Sequence, residues 1–249
     1  MTNPRVVITV LLLGLALGLH SGAQAQDSAP RATASITVDA AKIKGNVNPY
    51  VFSQGMTAAD SAGIFGAVTQ PFKLLSGDGF WNPESKQPVP AIADLSRQLN
   101  MGMMRYPSGS MVHNYNWKKT VGPLENRGEW EFGLDEYIAW CKALKNEPII
   151  TASEYVLPVD QMPVHNADMV EYLNAPATPD HPWAMKRKQW GHPDPYGVKY
   201  FELGNESSAG NENLVPRRQF TPEQYADYAV KTIQAVKSVD PTIKCGTVG

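Results

Sequence analysis

From Tyr50 onward the chain repeats one pattern: a short apolar run ending in polar residues, then a stretch with apolar residues at helical spacing. Short strands alternating with helices specify a parallel sheet, because each crossover must return along the sheet and lay its helix on a face. The strand candidates are Pro49–Gln54, Met103–Tyr106, Pro148–Ala152, Val198–Leu203 and Ile243–Val248. The spacing predicts helices over Val89–Leu99, with Ile92, Leu95 and Leu99 on one face, and over Leu134–Leu144, with Leu134, Tyr137, Ile138, Cys141 and Leu144 inward. A third is expected around Asp168–Leu173. A fourth opens at Thr221 with an N-cap threonine, Pro222 at the first helical position and Gln224 at N3, and Tyr225, Tyr228, Ala229, Ile233 and Val236 form its stripe.

Counted from Tyr50 there are five strands, whereas a closed (β/α)8 barrel needs eight. The expected fold is therefore α/β, a TIM barrel truncated after about five βα units. The chain stops on Gly246-Thr-Val-Gly249, which reads as an incomplete coding sequence. Such a fragment is expected to be inactive and poorly stable, because it leaves a sheet edge open. The alternative is an open doubly wound sheet, but no Gly-x-Gly-x-x-Gly turn follows any strand.

Before Tyr50 the pattern is different. Met-Thr-Asn-Pro-Arg5, the apolar run Val6–Leu19 and Ala23-x-Ala25 form a signal peptide over 1–25, too short in its apolar part to cross a bilayer, with cleavage expected before Gln26. Residues 26–47 read as a leader with an initial strand at Ile36-Thr-Val38, and 48–249 as the N-terminal portion of the barrel domain. The product is expected to be secreted or periplasmic, with no membrane association after cleavage. Residues Ala58–Pro90, rich in Gly, Pro, Ser and Asn, read as a surface excursion.

A formal net charge of −2 gives no basic field for nucleic acid. The histidines and cysteines show no paired ligand spacing, so no metal and no cofactor is expected. Cys141 and Cys245 read as two small buried side chains, although an exported protein could pair them.

In parallel α/β folds the functional groups gather at the carboxyl ends of the strands. The residues there are Gln54, Arg105-Tyr106, Ser153-Glu154 and Asn205-Glu206. This set suits a sugar: a glycosidase needs one carboxylic acid to protonate the leaving oxygen and a second carboxylate to attack the anomeric carbon or activate water. A neighbouring amide such as Asn205 can bond the 2-hydroxyl.

Val198-Lys-Tyr-Phe-Glu-Leu-Gly-Asn-Glu206 resembles the end of the fourth strand in the retaining glycoside hydrolases of clan A. The stretches Met103-Met-Arg-Tyr-Pro-Ser-Gly109, Tyr115-Asn-Trp-Lys118, Val121-Gly-Pro123, Phe132-Gly-Leu-Asp-Glu136 and Val170-Glu-Tyr-Leu-Asn174 are similar to the family 51 α-L-arabinofuranosidases. The resemblance covers roughly Asn48 to Gly249. It implies Glu206 as acid/base, Asn205 as the 2-hydroxyl ligand and Arg105 as the arginine bracing the carboxylates. The nucleophile it implies belongs to the seventh strand, beyond Gly249. Two positions depart from the family pattern: Ser110 stands in place of Asn, after Ser108 in place of a second glycine, and Gln54 in place of a sugar-contacting Glu.

Other readings compete at individual residues. Glu206 could be a surface carboxylate, and Asn205-Glu-Ser207 is also a glycosylation sequon, taken here as accidental. Arg105 could be a structural ion-pair partner, and Glu202 a buried network member. Glu154 is the one other strand-end carboxylate that could substitute as nucleophile. Trp117 is the best sugar-stacking candidate among Trp117, Trp130, Trp183 and Trp190, while Trp140 reads as core. Lys186-Arg-Lys188 reads as a solvated helix face. The expected activity is that of a retaining, exo-acting α-L-arabinofuranosidase on arabinose-containing plant polysaccharide side chains. The alternatives are a clan relative acting on xylosides, glucuronides or β-glucans, and a non-catalytic carbohydrate-binding homologue.

Overall fold

The structure, a computed structural model, describes residues 35–39, 41–56, 80–128, 130–211 and 217–248. The signal peptide and most of the Ala58–Pro90 excursion lie outside the described residues. The chain divides into two compact units, Met1–Val47 and Asn48–Gly249. In the first, residues 35–39 form no strand. Ile36 and Val38 stand 86% and 69% exposed, so neither face of the segment has the burial that the expected strand requires.

The second unit opens its sheet with β1 (Ser53–Gly55). A short antiparallel ladder follows, β2 (Trp81–Asn82) against β3 (Gln87–Pro88), which the sequence did not announce. The remaining strands of the parallel sheet are β4 (Met103–Tyr106), β5 (Glu147–Ala152), β6 (Tyr200–Leu203) and β7 (Lys244–Thr247). Their order is β1-β4-β5-β6-β7, each strand adding beside its predecessor. Because parallel crossovers are right-handed, an order that never reverses puts every connecting helix on the same face. That is the wall of a barrel. A doubly wound sheet reverses its order, and this one does not. The sheet is open, with β1 and β7 as its two edges.

Five helices cover it: α1 (Pro90–Gln98), α2 (Leu134–Leu144), α3 (Met162–Asn174), α4 (Pro182–Gln189) and α5 (Pro222–Val239). Strand alternation separates the two faces of the sheet. Met104, Tyr106, Ile150, Ala152, Phe201 and Leu203 are buried on the helix side, the larger of them contributing roughly 1.5–3 kcal/mol each. Arg105, Thr151 and Glu202 occupy the alternate positions and so face what would be the barrel interior.

Local signals account for α2 and α5. The inward residues of α2 are all buried, and the Glu136 carboxylate accepts the Gly133 N–H at 2.8 Å to cap it. On α5 the Thr221 N–H donates to Gln224 Oε1 at 3.0 Å and the Gln224 N–H returns to Thr221 Oγ1 at 3.3 Å, the expected reciprocal cap. Two expectations fail. On α1, Ala93 and Ser96 are buried while Leu95 and Leu99 are exposed, so the helix rests on its narrow face of small side chains. In α4, Arg187 is fully buried and not solvated: its guanidinium donates to the carbonyls of Tyr172, Ala175, His192 and Pro193. A fork of five donors can satisfy four carbonyls at once, which lets the charge sit inside the fold.

Trp117 is also a core residue, which corrects its reading as a sugar platform. It is 1% exposed, donates its indole N–H to the His165 carbonyl at 3.1 Å and meets Trp183 edge-on at 4.8 Å between centroids. Burial beneath it, with the Lys118 ammonium nearby, pulls the His165 pKa down from its usual 6.5 to about 4. Unfolded His165 binds a proton below pH 6.5 and folded His165 does not until about pH 4, so the stability of the folded state is lost as pH falls through that window. Denaturant midpoints should therefore drop by an equivalent of about 2 kcal/mol between pH 7 and pH 5. In His165→Gln that part of the drop should vanish; a drop of unchanged size would remove His165 as its source.

Candidate active site

The candidate residues Arg105, Asn205 and Glu206 converge where β6 ends. Its ladder runs on through the Gly204 N–H, which donates to the Ala152 carbonyl at 2.9 Å, and then the backbone turns through two left-handed residues, Gly204 (φ 93°) and Glu206 (φ 47°). Glycine is required at the first. A Cβ there would lie 2.8 Å from both Glu154 Oε1 and Ser207 Oγ. Glu206 tolerates its conformation at a cost of about 1 kcal/mol or more, which the surrounding bonds must offset. The result is a pair with opposite environments: Asn205 is 9% exposed, and Glu206 beside it is open to solvent.

Arg105 reaches this turn from the end of β4. Its Nε pairs with Glu202, its Nη2 donates to Asn205 Oδ1 at 3.1 Å, and its Nη1 lies 3.5 Å from Ser108 Oγ. Thr151 on the intervening strand donates to the same Glu202 oxygen at 3.1 Å. Arginine only donates, so Asn205 must turn its carbonyl toward it. That leaves the Asn205 Nδ2 group without a partner among the described residues. Glu202 is thus a network member, as expected, though half-buried and not sealed.

A second group lies behind the turn. Glu154, fully buried, accepts the Asn205 N–H at 3.2 Å and the Ser207 hydroxyl at 2.8 Å through one oxygen, Oε1. His113 Nε2 lies 2.8 Å from the Asn205 carbonyl and 3.7 Å from Glu154 Oε1. A carbonyl can only accept, so this nitrogen carries the proton. Burial pushes the Glu154 pKa up, opposed by His113, the Ser207 hydroxyl and the Asn205 N–H. Its position within the wall leaves Glu154 no access to a substrate, so it is not a substitute nucleophile.

The other candidates are not drawn in. Gln54 pairs in register with Met104 and precedes Met56 by two residues, both buried on the helix side, so alternation sets it on that face and not at the mouth. Ser110 is half-buried in the 3-10 turn Gly109–Asn114, and no described hydrogen bond links its side chain to the cluster. Trp140 is core; Trp183 lies under the ammonium groups of Lys118 and Lys186, 4.7 and 3.8 Å from its centroid. Both cysteines are free thiols, and burial pushes Cys141 up to about 12. Among the described residues no group of three or more His, Cys, Asp or Glu could hold a metal ion. Sequence reasoning gave no role to His113, read Ser207 only as part of a sequon and read Ser108 only as a departure from the family pattern. The one signal that could have flagged them is their place in the loops leaving the carboxyl ends of β4 and β6.

The sequence profile of the alpha-L-arabinofuranosidase 1 domain matches residues 95–247, more than half of the chain. The chain belongs to that family. Arabinofuranosidase-family relatives include the probable alpha-L-arabinofuranosidase C of Aspergillus clavatus, 30% identical over 231 residues, 87% of this chain and 42% of that one. The intracellular exo-alpha-(1->5)-L-arabinofuranosidase 1 of Bacillus subtilis is 30% identical over 63% of this chain and 32% of its own length. Of solved structures, the Thermotoga maritima alpha-L-arabinofuranosidase in complex with arabinose has 27% identity and a TM-score of 0.59, covering 66% of this chain and 34% of that one. A second arabinofuranosidase crystal structure has 25% identity and a TM-score of 0.63, covering 81% and 40%. The open sheet is thus a partial (β/α)8 barrel. The chain spans about two fifths of the length of the Aspergillus relative.

Gly204→Ala should destabilise the chain by about 2–3 kcal/mol, since the new Cβ meets Glu154 and Ser207 in a left-handed conformation. Thermal melts measure it, and a loss below about 0.5 kcal/mol would show that Glu154 moves aside freely.

Proposed function

We propose that this chain carries the acid/base half of a retaining, exo-acting α-L-arabinofuranosidase that acts on side chains of plant polysaccharides. The observation that carries the reading is Glu206: a solvent-open carboxyl at the carboxyl end of the fourth strand of a barrel wall, beside an asparagine held by Arg105. The family membership supports arabinofuranoside as the sugar.

In the first half-reaction a nucleophilic carboxylate attacks the anomeric carbon, the glycosidic C–O bond breaks, and the Glu206 proton passes to the departing oxygen. In the second, Glu206 as carboxylate takes a proton from water while that water displaces the nucleophile, returning both groups to their starting state. Among the described residues the two other carboxylates near the turn are committed, Glu154 by burial and Glu202 by Arg105, so the nucleophile comes from outside the five strands. It would stand about 5 to 5.5 Å from Glu206 in a retaining geometry. Asn205, with its Nδ2 unpartnered, is the donor suited to the sugar 2-hydroxyl. We further propose that the protein is exported, on the strength of the charged start, apolar run and Ala23-x-Ala25 at the N-terminus.

In the native gene product, Glu206→Ala should lower turnover of an aryl α-L-arabinofuranoside by about 10²–10⁴-fold. Added azide, which needs no general base, should restore turnover on substrates with good leaving groups and yield the glycosyl azide. Undiminished activity without azide would remove Glu206 from the mechanism, and faster hydrolysis of an aryl xyloside or glucuronide would replace the sugar. The secreted protein should begin at Gln26 by N-terminal sequencing; an intact Val6–Leu19 segment would refute export with cleavage.

A further inference from the structure

We propose that Glu154 is a positioning residue for Glu206: clamped together with His113 behind the β6 turn, it fixes the two residues that flank the acid and thereby aims its carboxyl. This rests on Glu206 being the acid/base. The polar groups on either side of Glu206 are tied to a wall of different origin. The Asn205 N–H and the Ser207 hydroxyl both go to Glu154 Oε1, at 3.2 and 2.8 Å. The Asn205 carbonyl takes the His113 Nε2 proton at 2.8 Å, and the Ser207 carbonyl takes the Tyr155 hydroxyl at 2.8 Å. His113 meets the Tyr155 ring edge-on at 5.1 Å, which closes the group. Thus the loops that follow β4 and β5 grip the loop that follows β6.

Three features make this an aiming device and not generic packing. Glu206 sits in a left-handed conformation that its own side chain disfavours, so its direction depends on what restrains 205 and 207. Glu154 is fully buried, a costly location for a carboxyl, and the partners of its one bonded oxygen are the residues flanking Glu206. The glycine at 204 is the residue that lets the carboxyl come so close. A displacement of about 1 Å at a reacting group costs on the order of 100-fold in rate, so a clamp of this kind acts on catalysis without touching substrate.

The test uses the native gene product and kcat/KM, which reports bond cleavage to the leaving group. Two substrates are compared: a phenyl arabinofuranoside, whose leaving oxygen needs a proton, and a dinitrophenyl arabinofuranoside, whose leaving group departs without one. Glu154→Leu and His113→Phe should lower kcat/KM on the phenyl substrate by roughly 10- to 100-fold and on the dinitrophenyl substrate by less than about threefold. Glu154→Gln, which keeps an acceptor oxygen, should recover most of the loss. Equal losses on both substrates, or none on either, would overturn the proposal. If Glu154→Leu does not fold, His113→Phe and Ser207→Ala carry the comparison. Glu206→Ala is measured alongside. If it lacks the leaving-group-dependent loss, the acid assignment itself fails; if it has that loss and the Glu154, His113 and Ser207 variants do not, the positioning role alone fails.

Discussion

One guanidinium spans three strands. Arg105 leaves β4, crosses β5 and pairs with Glu202 on β6, while Thr151 of the crossed strand bonds the same oxygen. A pair of this kind in the open contributes little, but here both ends are half-buried and the remaining donors of the fork are spent on Asn205 and Ser108. One side chain therefore couples the register of β4, β5 and β6 to the orientation of Asn205.

Buried charge is handled alike throughout the molecule. Arg187 is enclosed by backbone carbonyls, and Glu154 by an N–H and a hydroxyl. Asp135 on α2 accepts both Tyr172 and Tyr196 hydroxyls, at 2.9 and 2.6 Å, with Arg127 at 3.9 Å. In each case the partner groups lie outside the residue's own element, so the buried group is not satisfied until those segments have docked. Such groups cost several kcal/mol when unpaired, and they specify one arrangement of the helices around the sheet more than they add to net stability.

What could be read from the sequence is what depends on neighbours in sequence. The five strands, α2 and the Thr221 cap rest on alternation, helical spacing and a four-residue motif. That Asn205 and Glu206 follow a strand end was legible from the same alternation. Trp117, Arg187 and the α1 stripe were misread for a common reason: spacing says which residues share a face but not what that face meets. Leu95 and Leu99 line up at helical intervals, yet the helix docks through Ala93 and Ser96. Gln54 shares the face of Met104 in the register, a placement that strand-end position alone does not give, since a single step in a strand exchanges the inner face for the outer. The link between Glu154 and Asn205 joins positions 51 residues apart and leaves no local trace.

The burial of Asn205 bears on how the protein can be made. Asn205-Glu-Ser207 satisfies the acceptor pattern for N-linked glycosylation, and in the folded chain the amide faces Arg105 with Ser207 sealed behind it. The folded turn, held by Glu154 at the Asn205 N–H and the Ser207 hydroxyl, is not the free extended segment that a transferase takes up. The nascent chain is, because before these bonds form nothing holds the segment. A eukaryotic secretory host would set transferase against folding at this turn, and each molecule that lost the race would carry a glycan on the Nδ2 that the folded turn leaves unpaired, on the side of the amide away from Arg105. A host without that transferase removes the competition, so heterogeneous product from a eukaryotic host would record folding order and not enzyme quality.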